Sequence, residues 1–273
     1  MPRPFRLVSI EEKPERTLVK AGSCVFGGEI VPVIAGPCAV EDEALYLATA
    51  EVLASLGVSM LRGGVFKPRT SPYAFQGYGD NGLAVLRQAR SLTGLPVVTE
   101  ITDVRQVEEA SEAVDMLQVG SRNMHNFALL REVARAGLPV LLKRGFAATI
   151  EEWLLAAEYM LAEGNGDVVL CERGIRTFEP ATRNTLDISA VPVVKSLSHL
   201  PVIVDPSHAS GSWRLVGPLA LAAVAAGADG LMIEVHPHPN RALCDGEQSL
   251  TVERFTALLS DMKKVAEAVS RRV

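Results

Sequence analysis

Several features are missing from this sequence, and each absence closes off a class of protein. Positive charge is not in excess: the 273 residues carry a formal net charge of -5. That balance argues against nucleic acid or an anionic membrane surface as the main partner. No window offers the roughly 18 uncharged apolar residues of a membrane span. The opening MPRPFRLVSIEEKPER has no apolar core of the kind a signal peptide carries. A cytoplasmic protein is expected. The cysteines Cys24, Cys38, Cys171 and Cys244 are far apart and form no CxxC pair. In a cytosolic chain this points to reduced thiols, metal ligands or plain core residues rather than a disulfide framework. Linkers, low-complexity tracts and composition breaks are also missing, so residues 31–273 read as one domain behind a short entry segment, residues 1–30.

What is present is a repeating alternation. TLVKAGSCVFGGEI near the start has two short β-prone runs with glycine turn signals, and is expected to form a hairpin. Eight short apolar runs follow: 31–36, 59–64, 96–101, 115–120, 139–144, 167–172, 201–206 and 230–235. They are nearly continuous in apolar character, as parallel strands covered on both faces are. Amphipathic stretches at 41–57, 81–94, 103–114, 125–137, 149–164, 182–198, 212–227 and 252–273 predict helices, the one at 182–198 interrupted by Pro192. Eight strand–helix units in about 250 residues predict an α/β protein, a (β/α)8 TIM barrel with a short N-terminal β-hairpin extension. A doubly wound open sheet is the alternative.

In a barrel the chemistry sits at the carboxyl ends of the strands. Residues just past the apolar runs form two groups. One is cationic: Arg62, Lys67, Arg69, Arg122, Lys143 and Arg173. That much like charge around one mouth calls for a polyanionic ligand. The loop LRGGVFKPRTSPYAFQGYG (61–79) carries three of these cations together with Thr70 and Ser71. The other group is Cys38, His208, Glu234 and Asp245, whose mixed S, N and O donors suit one divalent Mn, Fe, Co or Zn. Glu100, Ser121 and Asp205 also stand at strand ends. Gly77, Gly79 and Gly82 spell GxGxxG, but the preceding SPYAFQ is no buried strand, so no nicotinamide site is expected. His236 and His238 lie between prolines in a loop and are expected at the surface or behind the first ligands, with a metal role open to His236.

The motifs AGPCAVE (35–41), LRGGVFKPRTSPYAFQGYG (61–79), QVGSRNM (118–124), LLKRGF (141–146), CERGIRTFE (171–179), VDPSHASG (204–211) and IEVHPHP (233–239) resemble the type I 3-deoxy-D-arabino-heptulosonate-7-phosphate (DAHP) synthases. The branch is the one shared with 3-deoxy-D-manno-octulosonate-8-phosphate synthases. The KPRTS run at 67–71 resembles the heptulosonate enzymes, and the octulosonate activity, with arabinose 5-phosphate, is the alternative. The resemblance implies condensation of phosphoenolpyruvate with erythrose 4-phosphate and release of phosphate, at the entry to the shikimate pathway. It implies that Arg62, Lys67 and Lys143 hold the phosphoenolpyruvate carboxylate region, Arg122 and Arg173 its phosphate, and Arg69 and Thr70 the aldose phosphate. It implies one metal per subunit on Cys38, His208, Glu234 and Asp245, and a homotetramer. Lys67 is the candidate proton donor, and Glu100 or the metal-linked Asp245 the candidate base for water. Cys244 adjoins Asp245, so a redox link to Cys38 is expected, and inhibition by phenylalanine or tyrosine is not.

Overall fold

The computed structural model describes residues 4–69 and 71–273. A two-stranded antiparallel hairpin, β1 (Val19–Ala21) and β2 (Cys24–Phe26), precedes eight parallel strands. These are β3 (Val33–Gly36), β4 (Met60–Arg62), β5 (Val97–Ile101), β6 (Met116–Val119), β7 (Val140–Lys143), β8 (Val168–Glu172), β9 (Val202–Val204) and β10 (Leu231–Glu234). They close into a barrel in chain order, with β10 pairing β3 from Leu231↔Val33 to Glu234↔Gly36. The closed TIM barrel is therefore the architecture, and the open sheet is excluded. Among the described residues no helix is long and apolar enough to cross a membrane.

Alternate residues along each strand face opposite ways, and both sets are buried. Ile34, Met60, Val98, Met116, Leu141, Val169, Ile203 and Met232 fill the amino-terminal half of the barrel interior. The hairpin inserts Val19, Ala21, Cys24 and Phe26 among them, closing that end. Its alternation of buried and exposed residues is the reason: one face is apolar and meets the barrel, and the other meets solvent. The outward set, such as Leu61, Leu117, Leu142 and Ile233, packs against the helices. Each fully buried side chain of this kind contributes about 1.5–3 kcal/mol. The apolar residues fill only the lower half of the lumen, so the upper half is left to polar side chains.

The helices are α1 (Glu43–Ser55), α2 (Asp80–Thr93), α3 (Val107–Ala113), α4 (Phe127–Arg135), α5 (Ile150–Ala162), α6 (Ala190–Leu197), α7 (Pro206–Ser210), α8 (Trp213–Ala225) and α9 (Val252–Ala268). Local chemistry sets their starts. Asp42 accepts from the Leu45 N–H at the head of α1, and Thr149 and Glu152 form a capping box on α5. The expectation of a helix over 182–198 is corrected: α6 begins only at Ala190. Pro192 falls in its first turn, where a missing N–H costs no hydrogen bond, so it helps to start the helix rather than interrupt it. Residues 183–185 instead pair their backbone elsewhere, Arg183 N–H to Ser210 O, Asn184 N–H to Ala209 O and Thr185 with Ile175. These bonds fasten the segment to α7, a short helix that the sequence pattern did not reveal.

Candidate active site

The carboxyl ends of the strands surround a cavity of about 280 Å³. Lys67, Arg69, Arg122, Lys143, Arg173 and Arg183 line it, with Glu100, Ser121, His208 and Asp245. The structure thus brings most of the expected cations to one mouth. Lys143 ends β7, and Arg122 sits on a 3-10 turn, Ser121–Asn123, directly after β6. Glu100 is opposite Gln118 in the β5–β6 register. A side chain at Gly120 would stand 1.8 Å from Glu100 Oε1, so glycine there is what gives Glu100 its room. Thr70 lies outside the described residues.

Two expected residues lie elsewhere. Arg62 is buried and does not line the cavity; its guanidinium is paired with Glu234 Oε1, and Nη2 donates to Cys38 O at 3.4 Å. Burial alone would lower its pKa, but Glu234 foremost among nearby anions raises it on balance. Asp205 is also fully buried and does not line the cavity. It pairs with Lys143 Nζ at 2.6 Å, caps α7 by accepting the His208 N–H at 3.0 Å, and stands 2.8 Å from His208 Nδ1. Burial acts to raise the Asp205 pKa, yet His208 and Lys143 hold it well below the usual carboxylate range. A charged Asp205 beside one ring nitrogen aims the other at the carboxylates: His208 Nε2 is 3.3 Å from Glu234 Oε1 and 3.7 Å from Asp245 Oδ2.

Cys38, His208, Glu234 and Asp245 converge there, one donor atom of each within 4.8 Å of the others. Donors about 2.0–2.3 Å from a single ion lie within roughly twice that of one another, so the set fits one divalent cation. The barrel closure explains the meeting: Cys38 follows β3, Glu234 ends β10, and those strands are paired. Burial lowers the His208 pKa more than Asp205 raises it, leaving the neutral imidazole that a metal requires. Burial raises the Glu234 pKa, but His208 and Arg62 bring it below the ordinary value. Lys67 Nζ stands 3.0 Å from Cys38 Sγ, and Arg69 Nη1 is 2.6 Å from Cys244 Sγ. His236 is not in the cluster: it is buried, with Nε2 3.6 Å from Glu41 Oε2. Cys24 and Cys171 are buried in the barrel interior, as core cysteines are. The GxGxxG run heads α2, and Gly77 is there because a side chain would strike Val65 O at 2.1 Å.

Sequence reasoning missed Phe146. The guanidinium carbons of Arg122, Arg173 and Arg176 lie 5.4, 4.8 and 4.7 Å from its ring centre. One aromatic ring thus gathers three cations in cation–π contact, and Arg122 and Arg173 of these line the cavity with it. Its place at the end of the LLKRGF motif that carries Lys143 was the available signal. Arg183 was missed because its segment resembles a helix. Arg144, a strand-end cation, is instead structural: Nη1 binds Glu172 Oε2 and Asp187 Oδ2, both at 2.9 Å.

Comparison with known proteins places these observations. A model of the DAHP synthetase I family matches residues 14–271. The chain is 52% identical over 271 residues to a phospho-2-dehydro-3-deoxyheptonate aldolase of Thermotoga maritima, covering 99% of this chain and 80% of that one. It is 36% identical over 266 residues to a 2-dehydro-3-deoxyphosphooctonate aldolase of Syntrophotalea carbinolica, covering 90% and 95%. The crystal structure of the Thermotoga maritima DAHP synthase superposes with a TM-score of 0.97 at 50% identity, over 100% of this chain and 80% of that chain. A truncated form of that synthase gives a TM-score of 0.92 at 49% identity, over 98% and 99%.

Proposed function

Because the chain belongs to the DAHP synthetase I family, we propose that it is a 3-deoxy-7-phosphoheptulonate synthase, a transferase that condenses phosphoenolpyruvate, D-erythrose 4-phosphate and water into DAHP and phosphate. The observation that carries the reading is the union of two features in one cavity. Six cations, Lys67, Arg69, Arg122, Lys143, Arg173 and Arg183, border it, and the Cys38, His208, Glu234, Asp245 cluster stands at its edge. Two phosphorylated substrates bring about five negative charges, and holding them together needs separate cationic clamps.

Roles follow from position. Arg122 and Arg173, gathered on Phe146, hold the phosphoenolpyruvate phosphate, while Lys143 and Lys67 hold its carboxylate. Arg69, lining the cavity beside Cys244, takes the aldose phosphate, with Thr70 as its expected companion. Ser121 borders the phosphoenolpyruvate end. Arg62, expected on the carboxylate, is assigned instead to Glu234, which it keeps ionised; Asp205 is assigned to Lys143 and His208, which it orients. A divalent ion on Cys38, His208, Glu234 and Asp245 would act as a Lewis acid toward the aldehyde.

The clamps hold C3 of phosphoenolpyruvate against C1 of the aldose, where the new carbon–carbon bond forms. Lys67 is cationic: burial lowers its pKa, but the Cys38 sulfur first among its neighbours raises it on balance. It donates a proton to the alkoxide oxygen at C1. Glu100, facing the cavity, accepts a proton from the water that adds at C2, with Asp245 as the alternative base. The C2 hydroxyl then becomes the ketone as the C2–O bond to phosphorus breaks, and its proton passes to the phosphate, which leaves with its bridging oxygen. The lysine and arginine clamps receive the leaving charge.

The reading extends to a cytoplasmic enzyme, manganese as an activating metal and a homotetramer. Mass spectrometry of the product distinguishes the sugars. A seven-carbon product from erythrose 4-phosphate supports the proposal. An eight-carbon product from arabinose 5-phosphate, with none from erythrose 4-phosphate, overturns it.

A further inference from the structure

The two carboxylates of the candidate metal cluster each have a divided environment. Glu234 turns Oε1 toward His208 Nε2, at 3.3 Å, and accepts there from the Arg62 guanidinium, while its Oε2 accepts from Gln248 Nε2 at 2.6 Å. Asp245 turns Oδ2 toward Cys38 Sγ, at 3.1 Å, while its Oδ1 accepts from Arg183 Nη1 at 3.2 Å. The same Arg183 Nη1 donates to Gln248 Oε1 at 2.8 Å. The result is an unbroken chain, Asp245–Arg183–Gln248–Glu234, linking the two carboxylates through their outer oxygens.

The chemistry of the chain admits one polarity. Arginine offers only donors and a carboxylate only acceptors, so the residue between them must accept on one side and donate on the other. A glutamine amide does both. Glutamate at 248 would set a carboxylate against Glu234, and leucine would leave the outer oxygen of Glu234 buried without a partner. Gln248 is itself buried, so its contacts are sheltered from water.

The backbone is built to the same end. Asp245 has a left-handed φ of 54°, unusual for a residue other than glycine. Gln248 lies on the 3-10 turn that follows, Gly246–Gln248. Arg183 arrives from another segment, fastened by its backbone to Ser210, the last residue of α7, the helix that carries His208. A side chain at Gly211 would approach Arg183 Cβ to 2.6 Å, so glycine there makes the space. Arg183 thereby joins the His208 element to the Asp245 loop.

We propose that Arg183 and Gln248 are positioning residues that fix the outer oxygens of Asp245 and Glu234, presenting the inner ones to a divalent cation and so setting the affinity of the site. The proposal rests on the metal reading of the cluster. Groups that orient metal ligands from behind characteristically change affinity by about 10–100-fold when removed.

The test is competition of the purified protein with a chelating dye for Mn²⁺ or Co²⁺, with no substrate present. Arg183→Ala and Gln248→Leu are each expected to weaken binding about 10–100-fold, and Arg183→Lys to fall between Arg183→Ala and wild type. Because the two act in series, the double variant should bind about as weakly as the weaker single variant, rather than by the product of the two losses. Arg183 is partly exposed, so Arg183→Ala is expected to keep the wild-type melting temperature and decides the matter should Gln248→Leu fail to fold. Wild-type affinity in Arg183→Ala overturns the proposal, as does a fully multiplicative double variant. A wild-type protein that binds no divalent ion would instead sink the metal reading itself.

Discussion

The sulfur atoms of Cys38 and Cys244 lie 3.4 Å apart at the edge of the substrate cavity, and both are free thiols. Cys38 belongs to the candidate metal cluster, and Cys244 precedes Asp245 of the same cluster. Hydrogen bonding to Cys38, more than burial opposes it, holds the Cys244 thiol below the usual range, a state that favours reaction. Treatment with diamide, which takes two electrons and two protons from the pair, is expected to form a disulfide and release metal. Thiol titration should then fall from four to two, and Cys244→Ser should resist inactivation. Four titratable thiols in an oxidised, inactive sample would refute this.

Variants of Phe146 and Arg69 test the proposed division into two anion clamps. Phe146→Ala removes the surface on which Arg122 and Arg173 rest. With a cation–π contact contributing about 0.5–1 kcal/mol at an exposed site such as Arg122 and about 2 kcal/mol where buried, as at Arg173, the KM for phosphoenolpyruvate should rise at least on the order of 10-fold. The KM for erythrose 4-phosphate should change little. Arg69→Ala should show the reverse, a raised KM for the aldose with that for phosphoenolpyruvate nearly unchanged. Equal effects on both substrates in both variants would remove the assignment of separate clamps.

A histidine far from the cavity gives a pH dependence of stability. His199 is buried, with Nδ1 2.7 Å from Thr17 Oγ1 and Nε2 2.8 Å from Leu7 O, tying the first residues to the barrel. Burial foremost holds its pKa below 6.5, and Lys13 and Arg16 act the same way. The unfolded chain therefore binds a proton that the folded chain refuses. Its contribution is complete above about pH 6.5 and is lost as pH falls toward the lower folded value. Urea unfolding at about pH 7.5 and about pH 5.5 should show a larger loss in wild type than in His199→Gln. An identical loss in both would show that other groups carry it.

How much of this the sequence made legible depends on what positions each residue. The barrel strands are short apolar runs because both faces are buried, and that pattern survives in one dimension. Closure then makes β3 and β10 neighbours, so the strand order alone groups Cys38 with Glu234. Orientation was less readable. Strand alternation says that Arg62 points inward, but not that it pairs with Glu234 instead of lining the cavity. Asp205 is similar: its place after β9 is plain, and its burial under Lys143 and His208 is not. Arg183 and Gln248 gave least signal, since contacts distant in sequence place them, on a segment of helical character and on a 3-10 turn.

The proposed function requires one cavity to hold two phosphorylated substrates beside a divalent ion. Phosphate release from phosphoenolpyruvate tests it most directly, measured with erythrose 4-phosphate or arabinose 5-phosphate, in chelator-stripped protein and after Mn²⁺ is restored. Release is expected only with metal present and with erythrose 4-phosphate strongly preferred. Full release in chelator, or release supported by arabinose 5-phosphate alone, would contradict it.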